Sequence, residues 1–238
     1  MAQVIWRVLR LACAAQGQPL DQNNKYGQMN THILHEDFRT AALDSRLSWF
    51  NPPSRWRLET RLPALVIEPD AATDFWQRTH YGFCADNGHF LGLELPSDFV
   101  VSTQLRLHPV HQYDQAGLMI RGDANCWIKA SVEHEPEGRP QLGAVVTNAG
   151  YSDWSLQDLP LPDLRLSLRI TKRGTDVLVE FSPENCVQWK CMRVARLHWP
   201  DRVPLCAGLY ACCPKEAGFR VEFDFLHIEV ISSPIKST

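Results

Sequence analysis

The sequence predicts an all-β domain of two packed antiparallel sheets. Three observations carry that expectation. Short runs of alternating apolar and polar residues recur from about residue 30 onward. Gly, Pro, Asn or Asp separates them every ten or so residues, and no later stretch sustains a helical period for a dozen residues. The 238 residues are 45% apolar and 21% charged, which fits one sandwich with a sizeable core and excludes disordered, collagen-like and coiled-coil chains.

In chain order the runs are LVIEP (65–69), FVVSTQLRLH (99–108), AGLMIR (116–121), CWIKASVEHE (126–135) and LGAVVTN (142–148). LRLSLRIT (164–171), DVLVEFS (176–182), LCAGLYACC (205–213) and FRVEFDFLHIEVI (219–231) complete the set. RGDAN (121–125), EPEGRP (135–140), KRGTD (172–176) and SPEN (182–185) supply turns between them. A tight turn over 122–125 predicts a hairpin that brings Arg121 near Trp127. QRTHYGF (77–83) is also strand-like, and its alternation groups Trp76, Arg78 and His80 on one face. YSDWS (151–155) is expected as a loop capping a cleft.

The first twenty residues, MAQVIWRVLRLACAAQGQPL, contain Arg7 and Arg10 and no acid. The arginines interrupt the apolar stretch, against a secretory signal, and serine is too scarce for an ordinary mitochondrial presequence. The expected organisation is an N-terminal extension over 1–33, a sandwich over 34–231 and a tail over 232–238. The expected location is cytoplasmic, or mitochondrial if the extension is a presequence. None of the eight cysteines forms a CxxC, and no Cys/His cluster has zinc spacing. Reduced core thiols are expected, Cys126 and Cys206 among them, with the adjacent Cys212 and Cys213 a redox or metal candidate.

Charge narrows the partners. Lys and Arg number 24 against 27 Asp and Glu, and a net charge of -3 provides no field for nucleic acid. No apolar run approaches the roughly 18 residues needed to span a membrane.

Alternation also assigns faces. From Cys126 onward, Ile128, Ala130 and Val132 point to the core, while Trp127, Lys129, Ser131 and Glu133 point the other way. An aromatic, a cation, a hydroxyl and a carboxylate in line are not a core pattern, and Arg121 falls on the same surface if the hairpin register holds.

Several longer strings occur in a fixed order: LSWFNPPSRWRLE (47–59), DFWQRTHYGF (74–83), DNGHFL (86–91), YDQAGLMIR (113–121), CWIKASVEHE (126–135), VVTNAGYSDWS (145–155) and GFRVEFDFLHIE (218–229). Together they resemble a concanavalin A-like family of unknown function related to the "regulation of enolase" protein. The resemblance covers about residues 34 to 230 and implies a jelly-roll sandwich like those of legume lectins and β-glucanases. It implies architecture more than chemistry. The E-x-D-x-x-E string of the jelly-roll glucanases does not occur here.

The candidate ligand-binding residues are Trp127, Lys129, Glu133, Arg121, His80, Tyr113, Asp114, Gln115 and Trp154, most of them expected on one hollow sheet face. Trp127, with Trp76 and Trp154, offers flat aromatic surface for a sugar ring, although core packing explains tryptophan equally well. Lys129, Arg121 and Glu133 suit a hydroxyl-rich or anionic ligand, or else form ion pairs on a solvated face. Asp114 and Gln115 sit at a strand entrance as hydroxyl ligands or turn formers. His80 is a candidate base or ligand, with a structural hydrogen-bonding role as its alternative.

The expected function is non-catalytic binding of a carbohydrate or polar metabolite, with a regulatory role in carbohydrate metabolism implied by the family name. No catalytic residue, metal or cofactor is assigned. One alternative is a glycoside-active enzyme using Glu133 with Asp114 or Asp153, which requires two carboxyls about 5 to 9.5 Å apart. The other is a protein-interaction module. No G-x-S-x-G elbow or phosphate-cradling loop is present.

Overall fold

The computed structural model describes residues 30–95, 98–135, 140–159, 165–183, 187–200 and 203–231. The strands begin with β1 (Asn30–Glu36), β2 (Ser48–Phe50), β3 (Arg55–Glu59), β4 (Ala64–Glu68), β5 (Phe75–Gln77) and β6 (Cys84–Asp86). Next come β7 (His89–Leu95), β8 (Phe99–His108), β9 (Gln115–Asp123), β10 (Cys126–Glu133), β11 (Gln141–Asn148) and β12 (Tyr151–Asp158). The last are β13 (Arg165–Arg173), β14 (Asp176–Ser182), β15 (Lys190–Arg196), β16 (Leu205–Cys212) and β17 (Arg220–Ile231).

Two antiparallel sheets form a concanavalin A-like jelly-roll sandwich. The first runs β15-β14-β13-β8-β17-β4-β3, and β1 pairs with β17 beyond the end of β4. The second runs β12-β11-β10-β9-β16-β7-β2. Strict alternation builds the core: on β8, Phe99, Val101, Leu105 and Leu107 point inward and Ser102, Gln104 and Arg106 point out. Leu118, Ile120, Ile128, Ala130 and Val132 meet them from the second sheet, in one continuous apolar cluster.

The predicted hairpin is present, with Trp127 opposite Arg121 across β9 and β10. Three local expectations are corrected. Regular pairing begins at Asn30, so the sheet reaches ahead of the boundary at 34. The segment 78–83 is a loop rather than a strand, because Arg78, His80, Tyr81 and Gly82 all adopt positive φ, which breaks any period of two. YSDWS is not a loop: it opens the edge strand β12, paired along its length with β11. The extension over 1–29 and the tail over 232–238 lie outside the described residues.

The hairpin β5–β6 decides what becomes of the second sheet. It lies across that sheet's outer face, and Phe75 packs edge-on against Trp127 and Tyr210. A second apolar cluster results, of Phe75, Phe90, Met119, Trp127, Val145, Tyr210 and Cys212. Full burial of Phe75 is worth about 1.5–3 kcal/mol. Gly88 permits the approach, since a Cβ there would come within 2.4 Å of the Phe75 ring. β10 is consequently buried on both faces.

Candidate functional site

Antiparallel register ranks the outward side chains of the second sheet in rows. Trp127 stands between Thr147 and Arg121, and Lys129 between Val145 and Met119. Ser131 lies between Gly143 and Gly117, and Glu133 between Gln141 and Gln115. β12 adds Trp154 beside Val145 and Leu156 beside Gly143, and β16 adds Tyr210 beside Gly117. Trp127, Lys129, Glu133, Arg121, Gln115 and Trp154 therefore do share one surface.

That surface is not an open groove at its centre. Trp127 is fully buried beneath Phe75, and its indole N–H donates to the Ala124 carbonyl at 3.2 Å. Lys129, 2% exposed, spends its ammonium on Asp74 Oδ1 at 3.0 Å, the Phe75 carbonyl at 2.8 Å and Gln115 Oε1 at 2.9 Å. Arg121 holds both carboxylate oxygens of Asp86 and lies 4.4 Å over the Phe50 ring. A sugar platform on Trp127, flanked by free charges, gives way to a sheet face whose charges are neutralised by the hairpin above. Two acids and one aromatic of 74–86 supply this cover from a segment remote in sequence.

Three expected site residues lie elsewhere. His80 sits in the exposed hairpin loop against Tyr81, with ring centroids 4.3 Å apart. Tyr113 is in the loop before β9, where the Lys215 ammonium lies 5.7 Å from its ring. Asp114 is a buried turn builder: one oxygen accepts from the amides of Val110 and His111, both at 2.8 Å, and the other meets Cys213 Sγ at 3.1 Å. Asp153 alternates away from Trp154 and pairs with Arg193 at 3.3 Å. Neither acid expected as a partner for Glu133 shares its row, so the two-carboxyl arrangement is not built from these residues.

Glu133 marks the part of the sheet next to the hairpin. Ser131 Oγ donates to its Oε1 at 2.9 Å, and the carboxyl folds back so closely over Gly143 that a Cβ there would come within 1.9 Å of it. Burial pushes its pKa up, against the opposing pull of Lys129 and of hydrogen bonds from Ser131 and Trp154. Burial alone would lower the Lys129 pKa, but the neighbouring Asp74 carboxylate, by its charge and its hydrogen bond, carries it above its usual value. Burial likewise raises the Tyr210 phenol well above its usual range, and its oxygen lies 3.2 Å from Gln115 Oε1. Trp154 stands at the edge of this polar group, 40% exposed, with Trp76 edge-on at 6.1 Å. Trp76 is fixed in turn by its N–H on the Thr79 carbonyl at 2.6 Å.

Beyond Trp76 the hairpin is tied down at its far end. The Gln77 amide donates to Ser152 Oγ at 2.9 Å, and Arg78 reaches the Gly150 carbonyl at 3.1 Å. A separate cleft of about 610 Å³, between Glu68, His108, Val110 and Arg220, involves none of these residues. Among the described residues no group of His, Cys, Asp or Glu is arranged around an ion position.

Comparison with known proteins is consistent with this architecture. The model of the family described as "Protein of unknown function (DUF1349)" matches residues 49–231. The chain belongs to this family. It is 34% identical over 179 residues to "Regulation of enolase protein 1" of Saccharomyces cerevisiae, covering 75% of this chain and 87% of the yeast protein. A crystal structure of a functionally unknown protein from the same yeast superposes with a TM-score of 0.71 at 32% identity, over 80% of this chain and 98% of that one. A xylan β-1,4-xylosidase from Bacillus halodurans matches 82% of this chain with 38% of its own, at a TM-score of 0.65 and 16% identity, a likeness of fold alone.

Proposed function

We propose that this DUF1349 member is a non-catalytic binding protein whose ligand, a carbohydrate or another polar metabolite, rests on Trp154 above the Glu133 carboxyl. One observation carries the reading. Trp154 keeps an exposed face beside the buried polar group of Glu133 and is braced edge-on by Trp76. An indole held rigid with a face in water loses little entropy on binding and suits the apolar face of a pyranose. Leu156, also exposed, borders the same row, and Ser131, Gln115 and Tyr210 pack into the buried polar group beneath it. The name of the yeast relative supports a regulatory role over a catalytic one.

The test is a glycan array together with a thermal-shift panel of sugars and phosphorylated metabolites on the full chain. A ligand at a hundred times its Kd adds about 2.7 kcal/mol to stability. Trp154→Ala is expected to abolish the response while leaving the melting curve of the free protein cooperative. An empty array and an empty panel would remove the small-ligand reading.

A protein-docking reading has its own support in the hairpin tip. Tyr81 is 94% exposed, Phe83 is exposed beside it, and Arg78 lies 5.6 Å over the exposed Tyr151 ring. Aromatic and arginine side chains of this kind are the usual anchors of protein interfaces. Retained ligand binding in Tyr81→Ala, with Trp154→Ala inactive, separates the two surfaces.

A further inference from the structure

The outer face of the first sheet carries a concentration of arginine that the net charge of -3 conceals. Antiparallel register sets two neighbouring rows across it. Arg165, Arg106, Glu222, Val66 and Arg57 form one row, running from β13 through β8, β17 and β4 to β3. In the next, His108 stands beside Arg220 and Glu68 beside Arg55. Val221, Phe223, Leu105 and Leu107 alternate into the core, so the charged side chains between them face outward.

The acids on this face are shared. Glu68 takes Arg57 on Oε1 and Arg55 on Oε2, both at 3.1 Å. Glu222 Oε1 takes the His108 ring at 3.2 Å and the Arg220 guanidinium at 3.1 Å. Asp224 holds Arg165 at 2.6 Å. Three carboxylates thus face five guanidinium groups, an excess of two positive charges. Each guanidinium also carries N–H donors in a planar fork, more than one shared carboxylate oxygen can occupy.

The cleft of about 610 Å³ opens at the end of these rows, lined by Glu68, His108, Pro109, Val110, Gly218 and Arg220. Its size is that of a small-molecule site, about 300–1,000 Å³, rather than of a track for a polymer. Gly218, at φ 128°, lacks the side chain whose Cβ would stand 3.8 Å from Val110 and take up part of that space. Glu68 would repel an anion if left alone, but Arg55 and Arg57 hold both its oxygens.

We propose that this cleft binds a small phosphorylated molecule, with its phosphoryl group on Arg220 and His108 and its apolar body against Pro109 and Val110. A dianion matches the excess of two charges, and the arginine fork matches phosphate oxygens. The site is separate from Trp154 and does not rest on the reading given for that residue.

The experiment titrates the full chain calorimetrically with inorganic phosphate and with glucose 6-phosphate at constant ionic strength, glucose serving as the neutral control. Glucose 6-phosphate is expected to bind below millimolar and to weaken as salt is added. Arg220→Gln should weaken it at least tenfold, and Arg57→Gln, on the edge strand β3, should weaken it as Glu68 loses a neutralising partner. Arg39→Gln, an equal charge change at an exposed loop, and Trp154→Ala should each leave it unchanged. Equal losses in Arg39→Gln and Arg220→Gln would reduce the effect to net charge and overturn the site. So would loss of phosphate binding in Trp154→Ala, glucose bound as tightly as its phosphate in that variant, or no binding tighter than about 10 mM.

Discussion

Arg121 and Asp86 form a two-pronged ion pair, at 2.8 and 2.9 Å, that fastens the β5–β6 hairpin to the sheet beneath it. The Arg121 side chain is 10% exposed, and its guanidinium lies 4.4 Å from the Phe50 ring centre and 5.7 Å from that of Phe75, where a planar cation makes better contact than an ammonium would. The pair joins the two halves of the site: one partner belongs to the sandwich, the other to its cover.

Loosening that fastening should open the hairpin. Asp86→Ala leaves the guanidinium without its carboxylate and is expected to cost about 2 kcal/mol in urea unfolding. Trypsin cleavage after Arg78, in the loop of positive φ, should accelerate in the same variant. Equal cleavage rates in wild type and variant would show that the hairpin is held by Phe75 alone.

Lys129 makes a sharper case, because its ammonium is buried with three acceptors around it. Lys129→Met leaves the Asp74 carboxylate uncompensated and should destabilise by about 3–5 kcal/mol. Adding Asp74→Asn to that variant removes the orphaned charge and should restore part of the loss, as a double-mutant cycle would measure. Simple additivity of the two losses would contradict the pairing.

Glu133 sets a pH dependence of definite sign. The fold retains its proton to higher pH than the unfolded chain, whose ordinary value is 4.5. Its contribution to stability is complete below that value and declines as pH rises through the raised folded value. Glu133→Gln cannot ionise, so its stability relative to wild type should grow between about pH 4.5 and pH 7 in urea melts at stepped pH. A constant difference across that range would mean that the carboxyl ionises freely.

Thiol reactivity should divide by position. Burial pushes Cys126 up to about 11, Cys213 up to about 12, and Cys212 well above its usual value, so all three stay protonated. Cys84 and Cys191 are exposed. Alkylation of the native protein at about pH 8, followed by peptide mass spectrometry, should label Cys84 and Cys191 and spare these three until denaturant is added. Early labelling of Cys212 would show that the hairpin opens readily.

Much of the sandwich was legible because strand period and burial coincide in it. FVVSTQLRLH and DVLVEFS are β8 and β14 to the residue. The alternation from Trp127 to Glu133 assigned the correct side chains to the correct face. What it could not reveal was the fate of that face. A polar and aromatic stripe looks the same in sequence whether it meets solvent or a cover. Here the cover is two three-residue strands and the Asp74 just ahead of them, and the partners of Asp86 and Asp74 lie 35 and 55 positions away. The loop at 78–83 misled for a local reason: its aromatic and basic residues alternate on paper, while its backbone turns through positive φ.

A strand walled in above and below has one further property. The backbone amides of β10 are bonded to β9 and β11, with the sandwich core on one side and the β5–β6 cover with its buried polar group on the other. No local fluctuation exposes them, so their exchange with deuterium must await opening of the whole domain. The slowest protons in this molecule should therefore mark the strand that carries Lys129 and Glu133, and their rates would report the global unfolding free energy directly.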